Sequence, residues 1–140
     1  LNVLDKTKRY ETKVSISADQ KIVTCPGRKR TNTGREGAAG TYVDGDPVNI
    51  RLSLLKIGDI ALTGVDAELY NMIGQRIKKE SSFAKPIVAT TTNGMSNSGY
   101  IPTDDAFGKY TFQVLSSRLQ PGHAESDIVN GLRDLMDKVK

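Results

Sequence analysis

The 140 residues of this chain are enough for one domain with a buried core, and 37% hydrophobic with 26% charged residues is typical of a soluble folded protein. No apolar run reaches the roughly 20 residues of a membrane-spanning helix, and the polar residues 1–10 have no secretory signal pattern. The net charge of +4 is too small to indicate a dedicated nucleic-acid binder, and one Cys with one His cannot form a Cys/His zinc site within the chain.

The first part of the chain combines two strand patterns with a basic, glycine-rich segment. Alternating apolar residues predict strands over 12–18 and 21–24, and the lack of apolar periodicity over 25–40 predicts a long exposed loop. This segment lacks the spacing of a phosphate-binding Walker loop. Three interpretations remain open for it: a solvated connection, a cover over a substrate channel, or an anion-binding arm. The basic residues of such an arm are Arg28, Lys29, Arg30 and Arg35. They have no interleaved aromatic residues for base stacking, so no nucleic-acid partner is expected.

A predicted hairpin follows. Asp-Gly and Asp-Pro pairs over 42–47 predict a turn, and alternation over 48–54 predicts a strand. A tight reversal at Gly58 leads into an apolar strand over 60–65. Asp66 is then expected to be the N-cap of an amphipathic helix that continues to Glu80.

The second half of the chain predicts a crossover connection. A β-branched strand over 87–92 follows the helix, so strand, helix and strand indicate a parallel pair. An edge strand is expected over 110–114, and a terminal helix is expected to begin over 121–125. The sequence therefore predicts an α/β domain with a mixed sheet, a strand–helix–strand crossover and a C-terminal helix.

Several side chains near the predicted strand ends are candidates for function. Asn93 and Gly99 bound a loop at the C-terminal end of a strand, where α/β sheets bind ligands, so they are candidate substrate-binding residues. By position alone, Glu68 is typical of the first turn of a helix, and Tyr100 is typical of a packed ring with a hydrogen-bonded hydroxyl. His123 lies at a helix start and is expected to be a capping or surface residue.

Together these features resemble the neutral/alkaline non-lysosomal ceramidases over about Val48 to Leu132. The shared order is a strand with Val65-x-x-Glu68, a helix with Gly74-x-Arg76, a strand, Asn93, and Gly99-Tyr100-Ile101-Pro102-Thr103. The resemblance implies that Glu68 and Tyr100 are ligands of a catalytic zinc and that Tyr110 assists the substrate amide. Asp66 and Ala67 stand where the family has Pro and Gly, which leaves the substrate open.

The resemblance also implies that the site is incomplete in this chain. The family's His ligands lie upstream, so the chain is expected to be the C-terminal portion of a larger zinc-dependent hydrolase, inactive alone. Its partner is then the N-terminal part of the same enzyme, and its substrate is a lipid amide such as ceramide. The alternative is a non-catalytic α/β binding or assembly domain that uses the basic segment on an acidic partner. Formation of a homo-oligomer and the cellular compartment stay open.

Overall fold

The protein is built on one four-stranded sheet, as seen in a computed structural model that describes residues 6–7, 10–32, 37–94 and 96–140. In chain order the elements are β1 (Ile16–Arg30), β2 (Tyr42–Ile57), β3 (Ile60–Val65), β4 (Glu68–Leu69), α1 (Asn71–Lys79), β5 (Lys85–Ala89), β6 (Tyr100–Ile101), a 3₁₀ helix (Asp104–Gly108), α2 (Phe112–Ser116) and α3 (Ala124–Lys138). The sheet has the order β1-β2-β3-β5. Strands β1, β2 and β3 are antiparallel, and β5 is parallel to β3. The predicted α/β class with a mixed sheet is confirmed.

The hairpin and the crossover are both present. Gly58 has a φ of 60°, which a tight reversal between β2 and β3 requires and which glycine adopts without steric cost. Helix α1 connects β3 to β5, so the parallel pair is reached through a helical crossover, as predicted.

Helices α1 and α3 cover one face of the sheet and form the core with it. Ile128, Leu132 and Leu135 of α3 are fully buried, as are Ile50 and Leu52 of β2. Helix α3 packs on β1 and β2, and α1 packs on β5 and α3. The core therefore lies in a single layer between the helices and the sheet.

The prediction for residues 12–40 is wrong in its boundaries. The two expected strands are one strand that continues to Arg30, and only part of the expected loop lies outside it. A bulge between Cys25 and Gly27 accommodates Pro26 without ending the strand. The C-terminal region stabilises this extension, because Gly27 bridges to Leu119 and Arg28 donates its amide to the carbonyl of Arg118 at 2.7 Å. Residues 33–36 of the predicted loop lie outside the described residues.

Four other boundaries also differ from the prediction. The strand expected over 87–92 is β5, which ends at Ala89. The expected turn over 42–47 belongs to β2, where it pairs with the extended end of β1. The helix expected from Asp66 begins at Asn71, because the Asp66 carboxylate accepts the Arg51 amide at 2.9 Å instead of capping a helix. The edge strand expected over 110–114 does not form, because its residues 112–114 belong to the helix α2, in which Val114 and Leu115 are both buried.

The C-terminal helix is confirmed, with His123 directly before its first residue. The His123 side chain is exposed and makes no capping hydrogen bond, whereas its carbonyl accepts the Asp127 amide at 3.0 Å. Within the described ranges, none of the helices is long and apolar enough to cross a bilayer.

Candidate functional site

Glu68 and Tyr100 are direct neighbours in the structure. Strands β4 and β6 form a separate two-stranded parallel ladder in which Glu68 and Tyr100 are Cα partners. Neighbouring strands lie about 4.8 Å apart, so the two residues are close together although they are far apart in sequence. Glu68 is exposed and Tyr100 is half-buried. Glu68 was expected within a helix, and its place in a strand gives it this neighbour.

The loop between β5 and β6 is held against the end of β3. The amide of Thr92 donates to the Val65 carbonyl at 3.0 Å, and the amide of Thr91 donates to the Ala67 carbonyl at 3.1 Å. Thr91 and Asn93 have φ angles of 53° and 58°. Residues other than glycine seldom adopt this left-handed conformation, and such residues are concentrated at functional sites. The exposed side chain of Asn93 is therefore displayed by a fixed loop at the C-terminal end of β5.

Gly99 and helix α2 fix the position of Tyr100. Gly99 has a φ of 66°, and a Cβ atom there would lie 2.6 Å from the carbonyl oxygen of Ser116. Only glycine allows this close approach. The Tyr100 ring packs edge-to-face on Phe112, with 5.9 Å between the ring centroids. Gly99 therefore acts on the position of Tyr100 through the backbone.

The oxygen atoms of Glu68 and Tyr100 are available to a ligand. Within the described part of the chain, neither the Glu68 carboxylate nor the Tyr100 hydroxyl has a hydrogen-bond or ion-pair partner. The described residues also contain no cluster of three or more His, Cys, Asp and Glu side chains that could hold a metal. Zinc accepts carboxylate oxygen and is usually held by three or four protein ligands. A zinc site that included this pair would need further ligands from outside the described residues.

Tyr110 is not in contact with this pair. It lies between the 3₁₀ helix and α2, its side chain is 45% exposed, and its carbonyl accepts the Gly37 amide at 2.8 Å. Among the described residues, no hydrogen bond or ring contact joins Tyr110 to Glu68 or Tyr100.

The four basic residues of the predicted anion-binding arm have different environments. Arg28 is only 9% exposed, and its guanidinium donates to the carbonyls of Val114 at 2.6 Å and Ser117 at 3.1 Å. Burial lowers the Arg28 pKa, and Tyr42 opposes this effect electrostatically. Lys29 is exposed, Arg30 is half-buried, and Arg35 lies outside the described residues. The Arg28 side chain therefore points into the protein and is not exposed for binding an acidic partner.

A cavity next to the β4–β6 ladder was not predicted. Its volume is about 430 Å³, and its walls come from α1, the 3₁₀ helix, α3 and the residues that flank these helices. Its charged residues are Arg76, Asp105, Lys109 and Glu125. The Thr103 hydroxyl and the Lys109 charge lower the pKa of Asp105, and Arg76 contacts Glu125 at 3.2 Å. No sequence pattern marks this cavity, because it forms only where these three helical elements meet.

No protein-family model, curated protein or solved structure matches this chain.

Proposed function

We propose that this chain is the C-terminal part of a ceramidase-like, zinc-dependent amidohydrolase and provides Glu68 and Tyr100 as two of the metal ligands. One observation carries the proposal: these two residues, selected from sequence, are paired in the β4–β6 ladder. A carboxylate and a phenol without hydrogen-bond partners among the described residues lie side by side in this ladder. Glu68 also follows the carboxyl end of β3, and the carboxyl end of a parallel strand is where α/β sheets bind ligands.

The chemistry of the pair suits amide hydrolysis. When bound, zinc would polarise the amide carbonyl and lower the pKa of a bound water to about 7. The Glu68 carboxylate and the Tyr100 phenol oxygen would hold the metal. Tyr110, by resemblance, would donate a hydrogen bond to the substrate amide, where negative charge develops on the oxygen during attack. Under this proposal Glu68 and Tyr100 form half of the site, and the His ligands come from the preceding part of the same polypeptide.

The zinc content of the natural polypeptide tests this assignment. Glu68→Gln removes the charge while keeping the side-chain size, so it should remove most of the bound zinc and the hydrolysis of a fluorescent N-acyl sphingosine. The matched control is Asp59→Asn, which also neutralises an exposed carboxylate but lies at the opposite end of β3. Metal analysis by mass spectrometry after gel filtration gives the readout.

Tyrosine variants separate metal binding from catalysis. Tyr100→Phe keeps the ring packing on Phe112 and should lower zinc occupancy. Tyr110→Phe should keep the zinc and lower kcat about 100-fold, since removal of one oxyanion donor has an effect of this order. Full zinc occupancy in both Glu68→Gln and Tyr100→Phe would refute the proposed ligands.

A further inference from the structure

The chain contains two Asn-Gly pairs in different surroundings. Asn93-Gly94 lies in the loop between β5 and β6, and Asn130-Gly131 lies inside helix α3. The side chains of Asn93 and Asn130 are both exposed, so access to water does not distinguish the two pairs. They differ in their hydrogen bonds and in the space around the glycine.

Asn-Gly is the dipeptide in which an asparagine side chain reacts most readily with its own backbone. The deprotonated backbone nitrogen of the glycine attacks Cγ of the asparagine, an N–Cγ bond forms, and the Cγ–Nδ2 bond breaks with release of ammonia. Water then opens the cyclic imide at either carbonyl, which gives an isoaspartyl linkage or an ordinary aspartyl residue. Water is the sole co-reactant. Glycine favours the reaction because it has no Cβ atom that would shield its nitrogen or restrict its backbone.

The reacting groups of Asn93-Gly94 are not held by hydrogen bonds. Among the described residues, neither the Asn93 carboxamide nor the Gly94 amide has a hydrogen-bond partner of good geometry. Gly94 is exposed and has a φ of 118°, and a Cβ atom there would meet nothing within 4 Å. The imide ring therefore has room to form without displacing a neighbour.

The loop is fixed on both sides of this pair. On one side the Thr92 amide donates to the Val65 carbonyl at 3.0 Å, and on the other side the Ser96 amide donates to the Asp66 carbonyl. These bonds hold the loop to the end of β3 and leave Asn93-Gly94 between them. The pair can therefore react while the rest of the domain stays folded.

Asn130-Gly131 is held by helix α3. In an α-helix the amide of Gly131 donates to the carbonyl four residues earlier, that of Asp127. The Oδ1 atom of Asn130 accepts from the Arg133 guanidinium at 2.8 Å. Gly131 is buried, and a Cβ atom there would lie 2.5 Å from Leu52 Cδ1. Its nitrogen cannot reach the Asn130 side chain until this part of the helix opens.

We propose that Asn93 is a site of spontaneous covalent modification, which converts it to isoaspartyl and aspartyl forms in the folded protein while Asn130 stays intact. Either product replaces a neutral carboxamide by a carboxylate, so it lowers the formal net charge by one, from +4 to +3. The isoaspartyl form also adds one carbon atom to the main chain.

The modification would change the candidate site. The loop that contains Asn93 is hydrogen-bonded to Ala67, the residue before Glu68, through the Thr91 amide at 3.1 Å. A residue that the sequence marks as a candidate for substrate binding would thus gain a negative charge at the end of β3. The proposal depends on the geometry of the loop and not on the function proposed above.

Ageing of the purified protein in ¹⁸O-labelled water at mildly alkaline pH tests the proposal. Asn93 and Asn130 fall in different tryptic peptides, so peptide mass spectrometry follows both in one sample. Digestion in ordinary water at mildly acidic pH ensures that only carboxylates formed during ageing carry the label. Methylation by a protein isoaspartyl methyltransferase measures the isoaspartyl form.

In the folded protein we expect Asn93 to react at least about tenfold faster than Asn130, because the helix must open before Asn130 can react. In urea the two sites should react at similar rates, since both have the same local sequence. The control variant is Asn93→Gln, in which the attack would need a six-membered ring. It should remove the label from its peptide and leave the slow reaction of Asn130 unchanged.

Three outcomes would overturn the proposal. Equal labelling of Asn93 and Asn130 in the folded protein would show that the fold does not select the site. Reaction of Asn93 in urea but not in the folded protein would show that the loop holds the pair in an unreactive geometry. Label that persists in the peptide of Asn93→Gln would assign the reaction to Asn97 instead.

Discussion

Arg28 shows how a residue that looks like part of a basic patch in sequence can be structural. Its guanidinium lies 3.8 Å from the centroid of the Tyr42 ring and 4.8 Å from that of Phe107. It also donates to two carbonyls at the end of α2. Hydrogen bonds from a charged donor contribute about 1.5–3 kcal/mol each, and a cation over an aromatic ring adds about 0.5–2 kcal/mol. Arg28 therefore connects the β1–β2 ribbon to the C-terminal region.

We expect Arg28→Ala to lower the free energy of unfolding by about 3 kcal/mol, because it removes two charged hydrogen bonds and leaves the buried Ser117 carbonyl without a donor, while the Val114 carbonyl keeps only the Ser117 amide. Lys29→Ala, the exposed neighbour, should change it by less than about 0.5 kcal/mol. Arg28→Lys should fall between them, since an ammonium keeps the charge but not the planar geometry. Urea unfolding followed by circular dichroism gives the three values. Equal midpoints for Arg28→Ala and Lys29→Ala would assign Arg28 to the surface.

Cys25 is another residue whose role the sequence left undecided. It is 1% exposed, and its Sγ donates to the Asp127 carboxylate at 3.7 Å. Burial, together with the nearby Asp127 charge, raises its pKa to about 12. Cys25 is therefore a buried, protonated thiol that packs as part of the core.

The candidate site was partly predictable at the residue scale. The resemblance implies that Glu68 and Tyr100 lie close together as ligands of one zinc, but no local pattern predicts the strand ladder in which they pair. The β4–β6 ladder has two residues on each side, which is too short for an alternation pattern to reveal. Strand β4 was not predicted, because Asp66 is a good N-cap by local preference and a helix was expected after it. In the structure the Asp66 carboxylate accepts the Arg51 amide instead.

At the scale of elements, the contact between α3 and the sheet depends on Gly131. A Cβ atom there would lie 2.5 Å from Leu52 Cδ1 and 3.3 Å from Val23 Cγ1. Leu52 is fully buried, so its side chain cannot move without disturbing the core. Gly74 in α1 provides the contrast, because a Cβ there would meet nothing within 4 Å.

Alanine at these two glycines should therefore have opposite effects. Gly74→Ala should raise the free energy of unfolding by about 0.5–1 kcal/mol through helix propensity. Gly131→Ala gains the same propensity but overpacks the core, which costs about 1–3 kcal/mol, so its net effect should be a loss of about 1–2 kcal/mol. Urea unfolding of both variants measures the difference. A gain in both would mean that α3 lies farther from Leu52 than the structure shows.

Element boundaries were predictable where local pattern and tertiary packing agree. The hairpin at Gly58, the crossover and the C-terminal helix fall in this class. The boundaries of the long ribbon of β1 and β2 were not predictable, because Pro26 and Gly27 are loop residues by local preference. They stay in the sheet because Leu119 and Gln120 bind that stretch of backbone from the far end of the chain, which no local pattern reveals.

At the scale of the whole molecule, the described core lies on one side of the sheet. The opposite face of the sheet contributes no fully buried side chain. Helix α3 contributes five, which are Ile128, Val129, Leu132, Leu135 and Met136. Each buried aliphatic side chain contributes about 1.5–3 kcal/mol. Their sum, about 8–15 kcal/mol, is as large as the whole stability of a typical domain, about 5–15 kcal/mol.

Removal of residues 121–140 should therefore abolish folding of the isolated chain, because Ile50, Leu52 and Leu54 would lose their cover while the opposite face is already bare. The shortened chain should show no cooperative urea transition and poor dispersion of amide signals in NMR spectra. A peptide of residues 121–140 added in trans should restore part of the dispersion. The same peptide with Leu132→Asp should not, since a carboxylate at that fully buried position would lose its hydration without gaining a partner. A cooperative transition without α3 would show that the sheet and α1 hold a core of their own, and the dominant role assigned here to α3 would be wrong.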